Sequence, residues 1–242
     1  MSDEPISKDK IDQLKRINKK LQEEVEKGGT KVVPGFTDSY IRLKEIKRES
    51  LKHPENLELR DLVEALEKEG VKDCISKNTN SNFAHEVGHS RHTFGREGAS
   101  KIGKAAHSIY LNPTYQKIAL PGKNAPSLAS LSAGFASGYN SVKKERKGEK
   151  ESKLSKYGPT VAAAAISAPM ILSEAAASKK GLQLLKEAGA DKKLLSQMRN
   201  QYLKTGGTYV TGSLINPSLT LVGRGLGKAA ANKIEKSKDK EN

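Results

Sequence analysis

Three residues in one short run could bind a metal and activate water: His85, Glu86 and His89, in Ala84-His85-Glu86-Val87-Gly88-His89. A helix turns once in about 3.6 residues, so positions 85 and 89 share a face one turn apart. Two imidazoles on that face can grip one Zn²⁺ from adjacent turns. Glu86, beside the first ligand, would face a water at the metal and not the metal itself. There it can take the proton as the water attacks a carbonyl. The bland alternative is a surface helix with incidental histidines. Against it stand the capping-type residues Asn78-Thr79-Asn80-Ser81-Asn82 just ahead, and Phe83, Ala84 and Val87, which could pack in a core.

A catalytic zinc needs a third protein ligand and one open position. His92 lies five residues past the midpoint of positions 85 and 89, about 7.5 Å along a helix axis, too far for a continuous helix to bring it in. The glycine turn through which metzincins reach a third histidine is not expected here. His107 would need its own turn back. Both are expected to support the ligands or to sit at the surface. Glu174 ends a mostly apolar run, in Ser173-Glu174-Ala175-Ala176-Ala177-Ser178. It is either a helix-end carboxylate open to water or one that faces a packed environment and needs a partner, which a metal would supply.

These residues need helices to position them. Residues 7–27 have apolar positions near 3.6-residue spacing (Ile11, Leu14, Ile17, Leu21, Val25) and stop at Gly28-Gly29. Thr30 to Val33 reads as a short strand closed by Pro34-Gly35. Residues 38–52 and 57–69 read as two more helices, and 82–107 as the helix that carries the chemistry. Asn112-Pro113 and Pro121-Gly122 mark a loop. Two weakly apolar stretches, 125–141 and 158–178, flank a charged linker at 143–156 and suggest a small-residue-rich helical hairpin over 125–178. Asp191 is expected to cap a helix reaching about Lys204. A third apolar stretch, 207–223, is interrupted at Asn216-Pro217. The expected organisation is a charged helical region over 1–77, a metal-binding domain over 78–226, and a basic disordered tail over 227–242.

The single cysteine, Cys74, excludes an intramolecular disulfide and a cysteine-based zinc site. The net charge is +15, and the whole excess lies after residue 100. Such asymmetry suits an anionic membrane surface. With 5% aromatic residues and no Trp, stacking on bases is poorly served, which argues against nucleic acid as partner. The N-terminal MSDEPISKDK has no apolar core of a signal peptide. An intracellular location is therefore expected, cytoplasmic or peripherally membrane-associated.

His85-Glu86-Val87-Gly88-His89, followed far downstream by Glu174-x-x-Ala177-Ser178, resembles the gluzincin pattern of HtpX-type and YugP-type membrane-associated zinc peptidases. Leu182-x-Leu184-Leu185, Gly189 and Thr208-Tyr209-Val210 are similar to later YugP-type segments. The match spans roughly 80–110 and 160–215. The resemblance implies that His85, His89 and Glu174 hold one Zn²⁺ and that Glu86 is the base. It also puts Ser178 where HtpX-type enzymes place an Asp that orients a ligand histidine. A hydroxyl orients less strongly than a carboxylate. The acid that YugP-type chains carry two residues after the ligand is replaced by Ala176.

The fold expected is mainly α, zincin-like, with little β. The function expected is a zinc metalloendopeptidase acting on a peptide or protein substrate, with Tyr209 or His107 as donor to the oxyanion. The rivals are a non-catalytic structural or scaffold protein, of a phage particle or a membrane complex, and a basic membrane-surface binding protein.

Overall fold

A computed structural model of the chain describes residues 8–34, 39–77, 82–96, 98–119 and 125–241. It is mainly helical, as expected. The described residues form two compact units. The first holds residues 1–107 and 173–204, the second 108–172 and 205–242. These bounds differ from those expected of the sequence, because the segment after residue 172 belongs with the N-terminal residues.

The first unit opens with α1 (Lys8–Lys27), which buries Leu14, Ile17, Leu21 and Val25 as its periodicity requires. Strands β1 (Thr30–Pro34) and β2 (Ser39–Arg42) follow, then α2 (Leu43–Lys52), α3 (Leu57–Lys68) and β3 (Asp73–Lys77). The strands form one mixed sheet in the order β1-β3-β2, with β1 parallel and β2 antiparallel to β3. The helix expected over 38–52 therefore begins only at Leu43. Tyr40 and Ile41 pair with Ile75 and Cys74 instead, and a strand partner distant in sequence overrides local helical pattern.

The expected 82–107 helix is two helices, α4 (Phe83–Thr93) and α5 (Lys101–Tyr110). Gly95 and Gly98 lie between them with φ of 62° and 74°, a left-handed backbone that glycine adopts at little cost. Of the expected capping cluster, 78–81 lie outside the described residues. Asn82 is the N-cap of α4 but makes no side-chain cap bond.

Helix α8 (Lys153–Glu187) contributes its last part, from Ser173, to this unit. Helix α9 (Lys192–Ser213) contributes residues to Lys204. Asp191 caps α9 as expected, accepting from the Leu194 amide at 2.8 Å. Leu184, Leu185, Leu194 and Met198 pack with Ile75, Phe83, Val87 and the buried face of α1 in one core.

A buried polar network joins α4 to the sheet. Asp73, on β3 and fully buried, accepts from Thr30 of β1 at 2.9 Å, from Ser90 of α4 at 2.5 Å and from Arg96 at 3.1 Å. Arg96 also donates to the Gly28 carbonyl at 3.1 Å. Removing one partner of such a buried pair strands the other charge, at about 3–5 kcal/mol. The network therefore fixes the rotation of α4 and the face its histidines present.

In the second unit α6 (Pro113–Ala119) occupies part of the expected loop, and residues 120–124 lie outside the description. Helix α7 (Ala125–Arg146) and the start of α8 are the arms of the expected hairpin. Near its turn Ser137 donates to the Ser155 carbonyl at 2.7 Å. The tightest neighbour of α7 is α10 (Ile215–Glu241). Gly134 and Gly138 face the Thr220 and Arg224 carbonyls, and Gly223 and Gly227 face those of Leu131 and Phe135. No side chain would fit at these four contacts, and the two helices run parallel. The tail expected to be disordered from 227 is thus helical. Gly227 and the buried Ala231 sit in packing, and Glu235 pairs with Arg146 at 3.5 Å.

Candidate metal centre

Two close approaches bring α8 over α4. A side-chain carbon added at Gly88 would lie 2.5 Å from the Ala177 carbonyl oxygen, and one at Gly181 would lie 2.9 Å from that of Ala84. The two backbones therefore touch at Ala84 and Gly88, each the residue just before a histidine, and Glu174 lies one turn before Ala177 on α8. Neither glycine was singled out from the sequence, although Gly88 lies inside the motif itself.

Three donor atoms converge there. His85 Nε2 is 3.0 Å from His89 Nε2, and Glu174 Oε2 is 3.2 Å from the first and 3.4 Å from the second. Bonds of about 2.0–2.1 Å from one tetrahedral zinc would separate its ligands by roughly 3.3 Å. The triangle therefore fits three corners of such a site. The donor set also fits: two imidazoles and one carboxylate. The three side chains are about nine-tenths buried, and Glu86, 9% exposed, lies beside His85 on α4.

The electrostatics show how strongly this pocket favours opposite charges together. Burial alone would raise the pKa of Glu174, but hydrogen bonds to His85 and His89 outweigh it and hold the carboxyl far below its usual range. Burial disfavours a charged His89, yet the hydrogen bond and charge of Glu174, with Glu86 behind them, raise its pKa. A carboxylate that stays ionised when buried is a ready partner for a cation.

Each of the two histidines is held by its other nitrogen. His85 Nδ1 lies 3.1 Å from Ser178 Oγ, one turn beyond Glu174 on α8. His89 Nδ1 lies 2.6 Å from Nε2 of His107, whose Nδ1 lies 2.8 Å from Ser173 Oγ. Burial, then the neighbouring His89 and His92, push the pKa of His107 down to about 3. The turn at Gly95 and Gly98, contrary to the sequence reading, is what brings His107 back. It meets the far side of His89 and not the triangle. With both nitrogens engaged, His107 does not serve as an oxyanion donor, which corrects that expectation. His92 stays outside the triangle, as the helical-reach argument requires: its Nδ1 donates to the Gly88 carbonyl at 2.8 Å.

Tyr209 is on α9 in the second unit, and its side chain lies outside the description. Two turns earlier on α9, the buried Tyr202 puts its ring centroid 5.6 Å from that of His85. Tyr40 of β2 stacks on His89 at 6.1 Å with rings 15° apart. Sequence reading missed both. The seven-residue spacing from Tyr209 was the one signal for Tyr202, and Tyr40 was hidden in a segment read as helix. No family model, curated protein or solved structure matches this chain.

Proposed function

We propose that the chain is a zinc-dependent peptidase, a zincin-like protein with His85, His89 and Glu174 as ligands and Glu86 as general base. The observation that carries this reading is the triangle of His85 Nε2, His89 Nε2 and Glu174 Oε2 with edges of 3.0–3.4 Å. When bound, zinc supplies Lewis acidity toward a peptide carbonyl and a nearby water. Glu86 takes a proton from the attacking water and returns it to the leaving amine. The ring of Tyr202, against His85, forms part of the wall of the site. Metal analysis of the purified protein, beside a casein digest, tests the reading. About one zinc per chain and cleavage abolished by a chelator are expected. A chain that takes up no zinc, or one that holds zinc and cleaves nothing, would leave the scaffold reading in its place.

We also place the protein at an anionic membrane surface, held peripherally through its basic second half. Among the described residues one helix, α8, is long and apolar enough in composition to cross a membrane. Its charge-free run, 157–173, extends about 26 Å, short of a hydrocarbon core about 30 Å thick, and holds Pro159 and Pro169. The second unit exposes Leu154, Val161, Leu221 and Val222, which suit contact with lipid. Carbonate or high salt is expected to release the protein from a membrane fraction. Retention until detergent is added would show insertion instead.

A further inference from the structure

We propose that His107 and Ser173 are positioning residues that set the tautomer of His89, and through it the chain's hold on the metal. The inference rests on the zinc reading above.

The argument is one of proton placement. His89 Nε2 points into the triangle of ligand atoms, 3.0 Å from His85 Nε2. To bind an ion there it must present a lone pair, so its proton belongs on Nδ1. That nitrogen is 2.6 Å from His107 Nε2 and donates to it. His107 Nε2 must then be unprotonated, which puts the His107 proton on Nδ1, where Ser173 Oγ accepts it at 2.8 Å. Each step leaves one choice. Were the Ser173 hydroxyl to donate to Nδ1, the His107 proton would move to Nε2 and point at His89. His89 would then have to carry its own proton on Nε2, where the ion should be.

The placement is built into the fold. His107 and Ser173 are almost wholly buried, at 1% and 0% exposure, so no water competes for their hydrogen bonds. Ser173 precedes Glu174 on α8. Ser178, on the same helix, meets His85 Nδ1. One stretch of α8 therefore supplies a ligand and orients both ligand histidines. The relay to His89 is neutral throughout, unlike the carboxylate to which many metal-bound histidines donate. A neutral acceptor orients His89 without adding negative charge, which leaves the ion the stronger Lewis acid.

Nitrogen-15 NMR of histidine-labelled protein reads the tautomers directly. With zinc added, His89 and His107 are both expected in the Nδ1–H form. Metal affinity, by competition with a chelator, supplies the second measurement. His107→Phe keeps a ring in the space but offers no acceptor, and is expected to weaken zinc about 10–100-fold. His107→Gln, whose side-chain oxygen can accept from His89, should recover most of that loss. A His107 Nε2–H signal in the zinc-loaded protein would overturn the proposal, as would wild-type affinity in His107→Phe. If His107→Phe does not fold, the wild-type tautomers still decide. Wild-type protein without zinc affinity would overturn the peptidase reading as well. Tight wild-type binding with an indifferent His107→Phe would overturn this inference alone.

Discussion

Glu86→Gln is expected to keep the zinc and to lose about a thousandfold in hydrolysis, within the range general acid–base groups contribute. Glu86 is not a corner of the ligand triangle; it lies beside His85 on α4, 9% exposed. The amide keeps the volume of the carboxylate, so the packing around this buried position of α4 is undisturbed. It cannot take a proton from water, and it removes a charge that helps raise the pKa of His89. Losing that charge favours neutral His89, the form a metal needs, so zinc content should not fall. Initial rates on a peptide that the wild type cleaves, beside metal analysis of both proteins, check the two halves. Near-wild-type turnover in Glu86→Gln would remove the peptidase reading, whatever metal the protein holds.

The parts of this molecule that depend on local pattern were legible in the sequence. The stripe at Leu14, Ile17, Leu21 and Val25 gave α1 and its buried face. Asp191 gave the start of α9, and the histidine spacing gave the face of α4 on which both imidazoles lie. Glu174 was reached from a lone carboxylate after an apolar run. The parts that failed depend on partners distant in the chain. Strand β2 exists because β3 offers its edge to Tyr40 and Ile41, and the local sequence there also suits a helix. The α10 tail is helical because Gly227 and Ala231 pack rather than fray. The break between α4 and α5 could have been anticipated, since Gly95 and Gly98 were visible. A run of helix-compatible residues on both sides obscured it. That single error hid the relation of His107 to His89.

Glu174→Ala is expected to lose zinc affinity by roughly a thousandfold or more, since two imidazoles alone make an incomplete site and binding free energy is shared among few ligands. His92→Ala is expected to bind zinc almost as the wild type does. The contrast follows from geometry on two helices. Glu174 Oε2 closes the triangle at 3.2 and 3.4 Å from the two histidine nitrogens, and it is the carboxylate that α8 places over the histidine pair. Its hydrogen bonds to His85 and His89 keep it ionised despite burial, so at neutral pH it brings the one negative charge of the ligand set. His92 turns back to the Gly88 carbonyl at 2.8 Å, and its other nitrogen is 3.4 Å from Ser100 Oγ. Its loss removes helix-terminal packing against Gly103 and no donor to the ion. Chelator competition on the three proteins, with circular dichroism to confirm folding, separates the cases. Wild-type affinity in Glu174→Ala together with collapse in His92→Ala would mean that the third ligand comes from α4 and that the approach of α8 serves only to pack the core.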